Sequence, residues 1–270
     1  MTTFRTASET DVSLILDWAA AEGWNPGLDD AAAFYASDPS GFFVAFEGDE
    51  PVAAISVVNH TDDFAFLGLY IARPSHRGKG IGYSLWQHAI QHAGTRTIGL
   101  DGVPDQQANY AASGFRADGG TTRFSGRVSP ARDDTLRRAE ASDIPTLIDL
   151  EAEASGVEKA RYLSTWFSNT DYRMTFVADD GFCTVRRCRA GAKIGPLVAT
   201  SPTTALRLIH HAGKVIAPEV MIDVPAQSGE LTTICHELGL APGFETARMY
   251  RGTPPLAKGS LFAVTSLELG

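Results

Sequence analysis

The sequence has few cysteines and no long hydrophobic run. Its 270 residues contain three cysteines, Cys183, Cys188 and Cys235, and this odd, sparse set lacks the spacing of a metal site. We expect three free, buried thiols. His236-Glu237 is not followed by a second histidine at the spacing of zinc proteases, so we expect no metal. The stretch Met1-Thr2-Thr3-Phe4-Arg5 does not begin a signal peptide, and no run could span a bilayer. We therefore expect a cytoplasmic protein with no membrane partner.

Positive charge is also scarce. Lys and Arg number 23 against 32 Asp and Glu, a net charge of -9, which would repel nucleic-acid phosphates and excludes a nucleic-acid partner. The excess acid lies in residues 1–130, which carry 15 acidic and 8 basic residues. Such a field favours a cationic substrate, for example an amine, although surface carboxylates can equally serve solubility. The length favours two domains.

A glycine-rich stretch joins a predicted strand to a predicted helix. Phe64–Ala72 is rich in aromatic and aliphatic residues, as a buried strand requires, and apolar residues recur at helical spacing over Ile81–Ile90. Between them stand Gly78, Gly80 and Gly82, which let the backbone turn tightly. Free amides at the positive end of a helix attract anions, so the stretch predicts a phosphate site. A turn without a ligand is the alternative.

Spacing distinguishes this loop from two other phosphate loops. The dinucleotide pattern G-x-G-x-x-G fails because Gly82 follows Gly80 too closely, and no Gly-Lys is followed by Ser or Thr as a P-loop requires. The pattern R-x-x-G-x-G does fit, with Arg77, Gly80 and Gly82.

A second motif follows the loop. Thr97–Leu100 reads as a short strand and Gln106–Ser113 as a helix, and Tyr110–Phe115 fits the pattern Y-x-x-x-G-F. On the residues alone, Tyr110 could also be an ordinary amphipathic tyrosine.

Together the two motifs, over about residues 64–115, resemble the GNAT (GCN5-related) N-acetyltransferases. The resemblance implies an α/β fold with a mixed sheet flanked by helices, and acetyl-CoA as co-substrate without a metal. It also implies acetyl transfer to a primary amine of a small molecule within a ternary complex. In that family a tyrosine at the position of Tyr110 returns a proton to the departing thiolate. The oxyanion donor would be a backbone amide near Tyr70 and Ile71.

The resemblance also assigns the remaining roles. The cofactor-binding positions would be Leu69, Tyr70, Ile71, Arg77, Gly78, Lys79, Gly80, Ile81, Gly82, Tyr83 and Asn109. The general base is open. Asp101 ranks first, because a carboxylate that leaves an apolar strand beside a cleft needs a reason to be there. It could bind the substrate's cation instead. The other candidates are Glu22, His60, Asp62, Asp63 and water.

The second half repeats the first. Phe4–Val12 aligns with Leu136–Ile144 at an offset of 132, and the segment around Asp223 echoes the segment around Asp101. Tandem duplication of one fold is the natural interpretation, with a first domain over 1–127 and a second over 135–270. Ser125–Asp134 is the predicted linker. The other elements predicted for the first half are a helix opened by Ser8 or Thr10, a helix over Asp29–Ser37, and strands over Gly41–Phe46, Pro51–Asn59 and Thr122–Phe124.

The second copy lacks the features that bind CoA. Lys193–Pro202 stands in the place of the phosphate loop without its alternating glycines or arginine, and Gly239 stands where the tyrosine would be. The whole chain thus resembles bacterial two-domain GNAT proteins with a complete N-terminal domain and a degenerate C-terminal one. Two other hypotheses stay open: a CoA-binding sensor or interaction protein without turnover, and an acyltransferase that acts on a hydroxyl or a protein amine.

Overall fold

A computed structural model describes residues 1–270 as one mixed sheet with helices on both faces, in agreement with the expected fold class. The strands are β1 Thr2–Thr6, β2 Phe42–Glu47, β3 Glu50–Asn59, β4 Phe64–Ala72, β5 Thr97–Gly102, β6 Arg116–Arg127, β7 Arg137–Arg138, β8 Arg173–Ala178, β9 Gly181–Arg187, β10 Ala192–Ala199, β11 Glu219–Pro225, β12 Ala241–Arg251 and β13 Leu261–Ala263. The helices are α1 Glu9–Ala21, α2 Asp30–Ser37, α3 Ile81–Ala89, α4 Gln107–Ala112, α5 Ile144–Ser155, α6 Ala160–Trp166, α7 Pro202–Val215 and α8 Gly229–Glu237. None of these helices has the length and apolar character needed to cross a membrane.

The same arginine–aspartate contact lies at the start of the first helix of each half. Ser8 caps α1 by accepting from the amide of Asp11, and Arg5 donates two hydrogen bonds to the Asp11 carboxylate. In the second half, Arg137 likewise donates two hydrogen bonds to the Asp143 carboxylate, just before α5. Both pairs lie at the offset of 132 residues, so the sequence repeat is also a repeat of structure.

The two halves exchange their last long strands. The sheet order is β1-β2-β3-β4-β5-β12-β6-β11-β10-β9-β8-β7, so β12 of the second half lies between β5 and β6 of the first. β6 in turn pairs with β11 of the second half. The predicted linker is therefore wrong at its start, because Ser125–Arg127 belongs to β6 and pairs with Glu219–Met221.

Two buried ion pairs join the exchanged strands β12 and β6 to neighbouring strands of the other half. Arg248 on β12 lies opposite Asp101 on β5 and donates two hydrogen bonds to its carboxylate, at 2.9 and 2.7 Å. Arg123 on β6 lies opposite Asp223 on β11 and does the same, at 2.7 and 2.9 Å. Bidentate pairs of this kind are among the strongest polar contacts in proteins, so each half helps to hold the other.

The strand pair β4–β5 of the first half and its counterpart β10–β11 in the second half separate in different ways. In the first half, β4 pairs with β5 only as far as Leu67 and Leu100. In the second half, β10 and β11 pair over residues 192–194 and 220–222, and β13 then pairs with β10 beyond that point. The amide of Val264 also donates to the carbonyl of Asp223 at 3.1 Å. In the second half, β13 thus occupies the position where the first half has a gap between β4 and β5.

Candidate active site

The glycine loop before α3 presents a row of free amides. Gly78 and Gly80 have φ of 74° and 79°, a region that favours glycine, and α3 starts directly after Gly80. No amide of residues 78–83 donates to a protein acceptor. Six unpaired N–H groups at the positive end of a helix suit a pyrophosphate, so the loop fits the cofactor predicted for it.

Side chains of the loop are mostly turned to solvent or engaged elsewhere. Lys79 and Tyr83 are exposed, whereas Ile81 is buried in the core and can offer a cofactor only its amide. Arg77 donates to the carbonyl of Ala72 at 2.9 Å and pairs with the Glu22 carboxylate. The Glu22 carboxylate therefore holds the loop through Arg77 and is less available as a base.

A bulge interrupts β4 where the family would place its oxyanion donor. Ser56 on β3 pairs with Gly68, but Ala54 pairs with Ile71, so β4 holds one extra residue in between. Leu69 in this interval has φ of 46°, which is unusual for a leucine. The bulge lies just beyond the point where β4 leaves β5, so it faces the gap between the two strands.

Tyr110 on α4 points into the same gap from the other side. Its ring is 8% exposed and stacks on Trp86, with centroids 5.5 Å apart and an interplanar angle of 23°. Burial raises the pKa of the Tyr110 hydroxyl, so this group keeps its proton at neutral pH. Asn109 beside it is exposed and donates to Gln106 at 2.9 Å.

Both halves of the chain line the cavity in this gap, which we call the β4–β5 cavity. Its volume is about 70 Å³. Its lining residues are Trp24, Leu67, Gly68, Leu69, Tyr70, Leu100, Asp101, Val103, Gln106, Tyr110, Arg123, Phe244, Thr246, Leu267 and Glu268. A larger cavity of about 510 Å³ lies on the side of the second half and contains none of the predicted site residues. The bulge and Tyr110 meet in the smaller one.

Asp101 lines the β4–β5 cavity, but its surroundings differ from those expected of a base. Its side chain is 1% exposed, and both oxygens accept hydrogen bonds from Arg248. Burial raises the pKa of Asp101, and the Arg248 guanidinium opposes that rise. Its counterpart Asp223 is paired in the same way, and that half has no cofactor loop, which favours an architectural role for both carboxylates.

The remaining candidate bases lie outside the cavity. His60 contacts the carbonyl of Leu269 at 2.8 Å, and burial lowers the pKa of its ring to about 3, so it is neutral at physiological pH. Asp62 and Asp63 are exposed in the turn before β4. None of these three lines the gap between β4 and β5.

Sequence reasoning missed the residues that the second half supplies. Arg248, Phe244, Thr246 and Glu268 are far from the motifs in sequence, and no local pattern marks them. Arg123 and Arg248 do share a local sequence pattern. Each lies in a segment that reads T-x-R followed by an apolar residue, Thr121-Thr122-Arg123-Phe124 and Thr246-Ala247-Arg248-Met249.

The three cysteines are free and buried, as predicted. Burial raises the pKa of Cys183 and Cys235 to about 12, so neither is a nucleophile at neutral pH. No group of three or more His, Cys, Asp or Glu side chains is placed to hold a metal ion.

Each half of the chain matches a family of acetyltransferases. Residues 10–115 match the family described as "Acetyltransferase (GNAT) family", and residues 147–263 match the one described as "Acetyltransferase (GNAT) domain". The matches fall on the two copies of the repeat.

Similar proteins extend over nearly the whole chain. A protein named holothin acyltransferase from Pseudoalteromonas sp. (strain SANK 73390) is 34% identical over 278 residues, covering 99% of this chain and 94% of that protein. The structure of a protein from Pyrococcus horikoshii has a TM-score of 0.87 at 20% identity and covers 100% of this chain and 96% of that one. A tandem GNAT protein from the clavulanic acid biosynthesis pathway has a TM-score of 0.62 at 17% identity and covers 94% and 99%. At these identities the two structures establish a shared fold.

Proposed function

This chain belongs to the GNAT family and is an acyltransferase with two GNAT domains, and from that premise we propose that it transfers an acetyl group from acetyl-CoA to a primary amine of a small molecule. The observation that carries the proposal is the gap between β4 and β5, which the bulge at Leu69 and the protonated hydroxyl of Tyr110 line together. The free amides of residues 78–83 stand in the loop that follows β4.

Each feature has a role in direct attack within a ternary complex. Acetyl-CoA supplies the activated acyl thioester, and the loop amides hold its pyrophosphate. A backbone amide of the bulge, near Tyr70 and Ile71, donates to the carbonyl oxygen as charge builds on it. Tyr110 gives its proton to the departing sulfur. The aromatic and aliphatic lining of the gap excludes water from the reacting atoms.

Two observations support a small-molecule amine as acceptor. The relative named holothin acyltransferase matches 99% of this chain, and its name describes acyl transfer to one compound, holothin. The first 130 residues are also strongly acidic, which favours an amine that is cationic in solution. We place the reaction in the cytoplasm, where acetyl-CoA is available.

Release of free thiol from acetyl-CoA tests the proposal. The acceptors are holothin, polyamines, amino acids, aminoglycosides and peptides with free amino ends, each beside its hydroxyl analogue where one exists. We expect acceptor-dependent release with at least one small amine and none with the matched alcohol. CoA binding without release would indicate a sensor, release with alcohols would indicate an O-acyltransferase, and release only with peptides would indicate a protein amine.

A further inference from the structure

The β4–β5 cavity contains a buried carboxylate that the sequence motifs do not identify. We infer that Glu268, from the C-terminal segment of the second half, receives the N–H of the acceptor amine and takes its proton during transfer. The inference rests on the proposed amine acetylation and adds the residue that recognises the acceptor.

The C-terminal segment holds Glu268 directly at the start of the bulge. After β13 the chain crosses to β4, where a Cβ on Gly68 would lie 2.0 Å from the carbonyl oxygen of Glu268. Only a glycine at position 68 permits this approach. Leu267 and Glu268 then line the β4–β5 cavity together with Leu69 and Tyr110.

Glu268 differs from the other buried acids of this region in having no cationic partner. Glu268 is 4% exposed, and its Oε2 atom is buried without a hydrogen bond. Its carboxylate takes part in no ion pair. The comparable acids all have a cationic partner: Asp30 with Arg186, Asp101 with Arg248, Glu151 with Lys159 and Asp223 with Arg123. A buried acceptor without a hydrogen bond is destabilising, so a ligand that donates to it is the natural explanation.

Three cationic side chains near Glu268 compensate its negative charge without forming a hydrogen bond to it. Burial alone would lower the pKa of Arg123 and Arg186, and Glu268 is among the anions that raise both. Burial lowers the pKa of Lys193, and Glu268 opposes this most among the charges around it. These cations donate to Asp223, Asp30 and the carbonyl of Trp24 instead, which leaves the Glu268 oxygens free for the acceptor.

The proton transfers balance with Glu268 and Tyr110 in opposite roles. The ammonium form of the acceptor first loses a proton to solvent. The lone pair of the neutral amine then forms the bond from nitrogen to the carbonyl carbon, and the bond from that carbon to sulfur breaks. The nitrogen becomes positively charged as it bonds, and one of its protons passes to the Glu268 carboxylate. The sulfur takes a proton from Tyr110. Solvent then removes the proton from Glu268 and restores that of Tyr110, so the products are the amide and the free thiol.

The test is Glu268→Gln in the full chain, measured with the best acceptor of the panel. Gln keeps the size of the side chain but cannot take the proton. We expect kcat/KM for the acceptor to fall about a hundredfold to ten-thousandfold, with the Kd for CoA unchanged within about twofold. The matched control is Glu151→Gln, which also removes a buried carboxylate that contacts the C-terminal segment, through Thr265, but lines the other cavity. It should lower Tm and leave kcat/KM within about threefold.

A purely electrostatic role for Glu268 has a different signature. If Glu268 only balances the charge of its neighbours, removing one of those charges should restore activity, so the double variant Lys193→Met with Glu268→Gln should be more active than Glu268→Gln alone. We expect no recovery. Recovery, or a Glu268→Gln variant within threefold of the parent, would overturn the inference. Turnover by the parent protein tests the proposed function separately, because that measurement does not involve residue 268.

Discussion

At the scale of single residues, Tyr110 and Asp101 line one cavity but have opposite surroundings. Tyr110 packs on Trp86, and no protein group hydrogen-bonds to its hydroxyl, so the O–H is free to act on a ligand. Asp101 has both oxygens bound to Arg248. The motif predicts a role for Tyr110 because a short local pattern, Y-x-x-x-G-F, marks its position in the sequence. It could not reveal the arginine, which lies 147 residues away.

Tyr110→Phe should lower the maximal rate of acyl transfer and leave the affinity for CoA nearly unchanged. The ring keeps its size and its contact with Trp86, so Tm should stay close to that of the parent. General acids are worth about a hundredfold to ten-thousandfold in rate, and a thiol leaves tolerably without help, so we expect the lower end. Because the contact is made mainly in the transition state, kcat and kcat/KM should fall together. Parent-like turnover under conditions where chemistry limits the rate would mean that Tyr110 only packs.

Asp101→Asn and Asp223→Asn form a matched pair of variants. Each removes the carboxylate from a buried bidentate pair, which costs about 3–5 kcal/mol, so thermal unfolding should show similar losses of Tm. If both carboxylates only hold exchanged strands, kcat measured well below both Tm values should fall by similar factors. A loss of activity at least a hundredfold larger in Asp101→Asn would restore Asp101 as the base.

At the scale of elements, the loop and its flanking strand and helix could be predicted almost to the residue. β4 spans the predicted Phe64–Ala72, and α3 begins at the predicted Ile81. Local signals suffice here, because apolar periodicity sets the two elements and glycine sets the turn. The bulge at Leu69 could not be found in this way, since a bulge depends on the register with β3 and leaves no mark on the sequence of β4 alone.

Gly80→Leu should abolish measurable CoA binding by isothermal calorimetry. A leucine at a φ of 79° strains the turn and covers the amides that would approach the pyrophosphate. Gly48→Leu is the matched control. Gly48 has a φ of 63° in the hairpin between β2 and β3, and a Cβ at either glycine meets no atom within 4 Å. The two variants should lose similar stability, and only Gly80→Leu should lose CoA. Undiminished affinity in that variant would contradict the assignment of the loop.

At the scale of the whole molecule, the exchange of β6 and β12 makes the two halves one unit. The repeat in sequence predicted two copies of one fold, and the structure places both. It could not predict which copy each last strand joins, because strands on either side of the boundary have equivalent partners in both halves. Arg123 and Arg248 each pair with an aspartate of the other half, and these contacts stabilise the observed exchange. The cavity lined by Glu268 is bounded by residues of both exchanged strands and of the C-terminal segment.

The chain should bind one CoA, although it contains two copies of the fold. In the second half, β13 pairs with Leu197 and Val198 of β10 along the edge that stays open in β4, and Lys193–Pro202 offers no row of free glycine amides. Because β13 already hydrogen-bonds to this edge of β10, it must be displaced before a ligand can pair there. Calorimetry should therefore give a stoichiometry of one for the parent and no binding for Gly80→Leu. A stoichiometry of two in the parent, falling to one in Gly80→Leu, would show that the second half keeps a site of its own and that β13 yields to the cofactor.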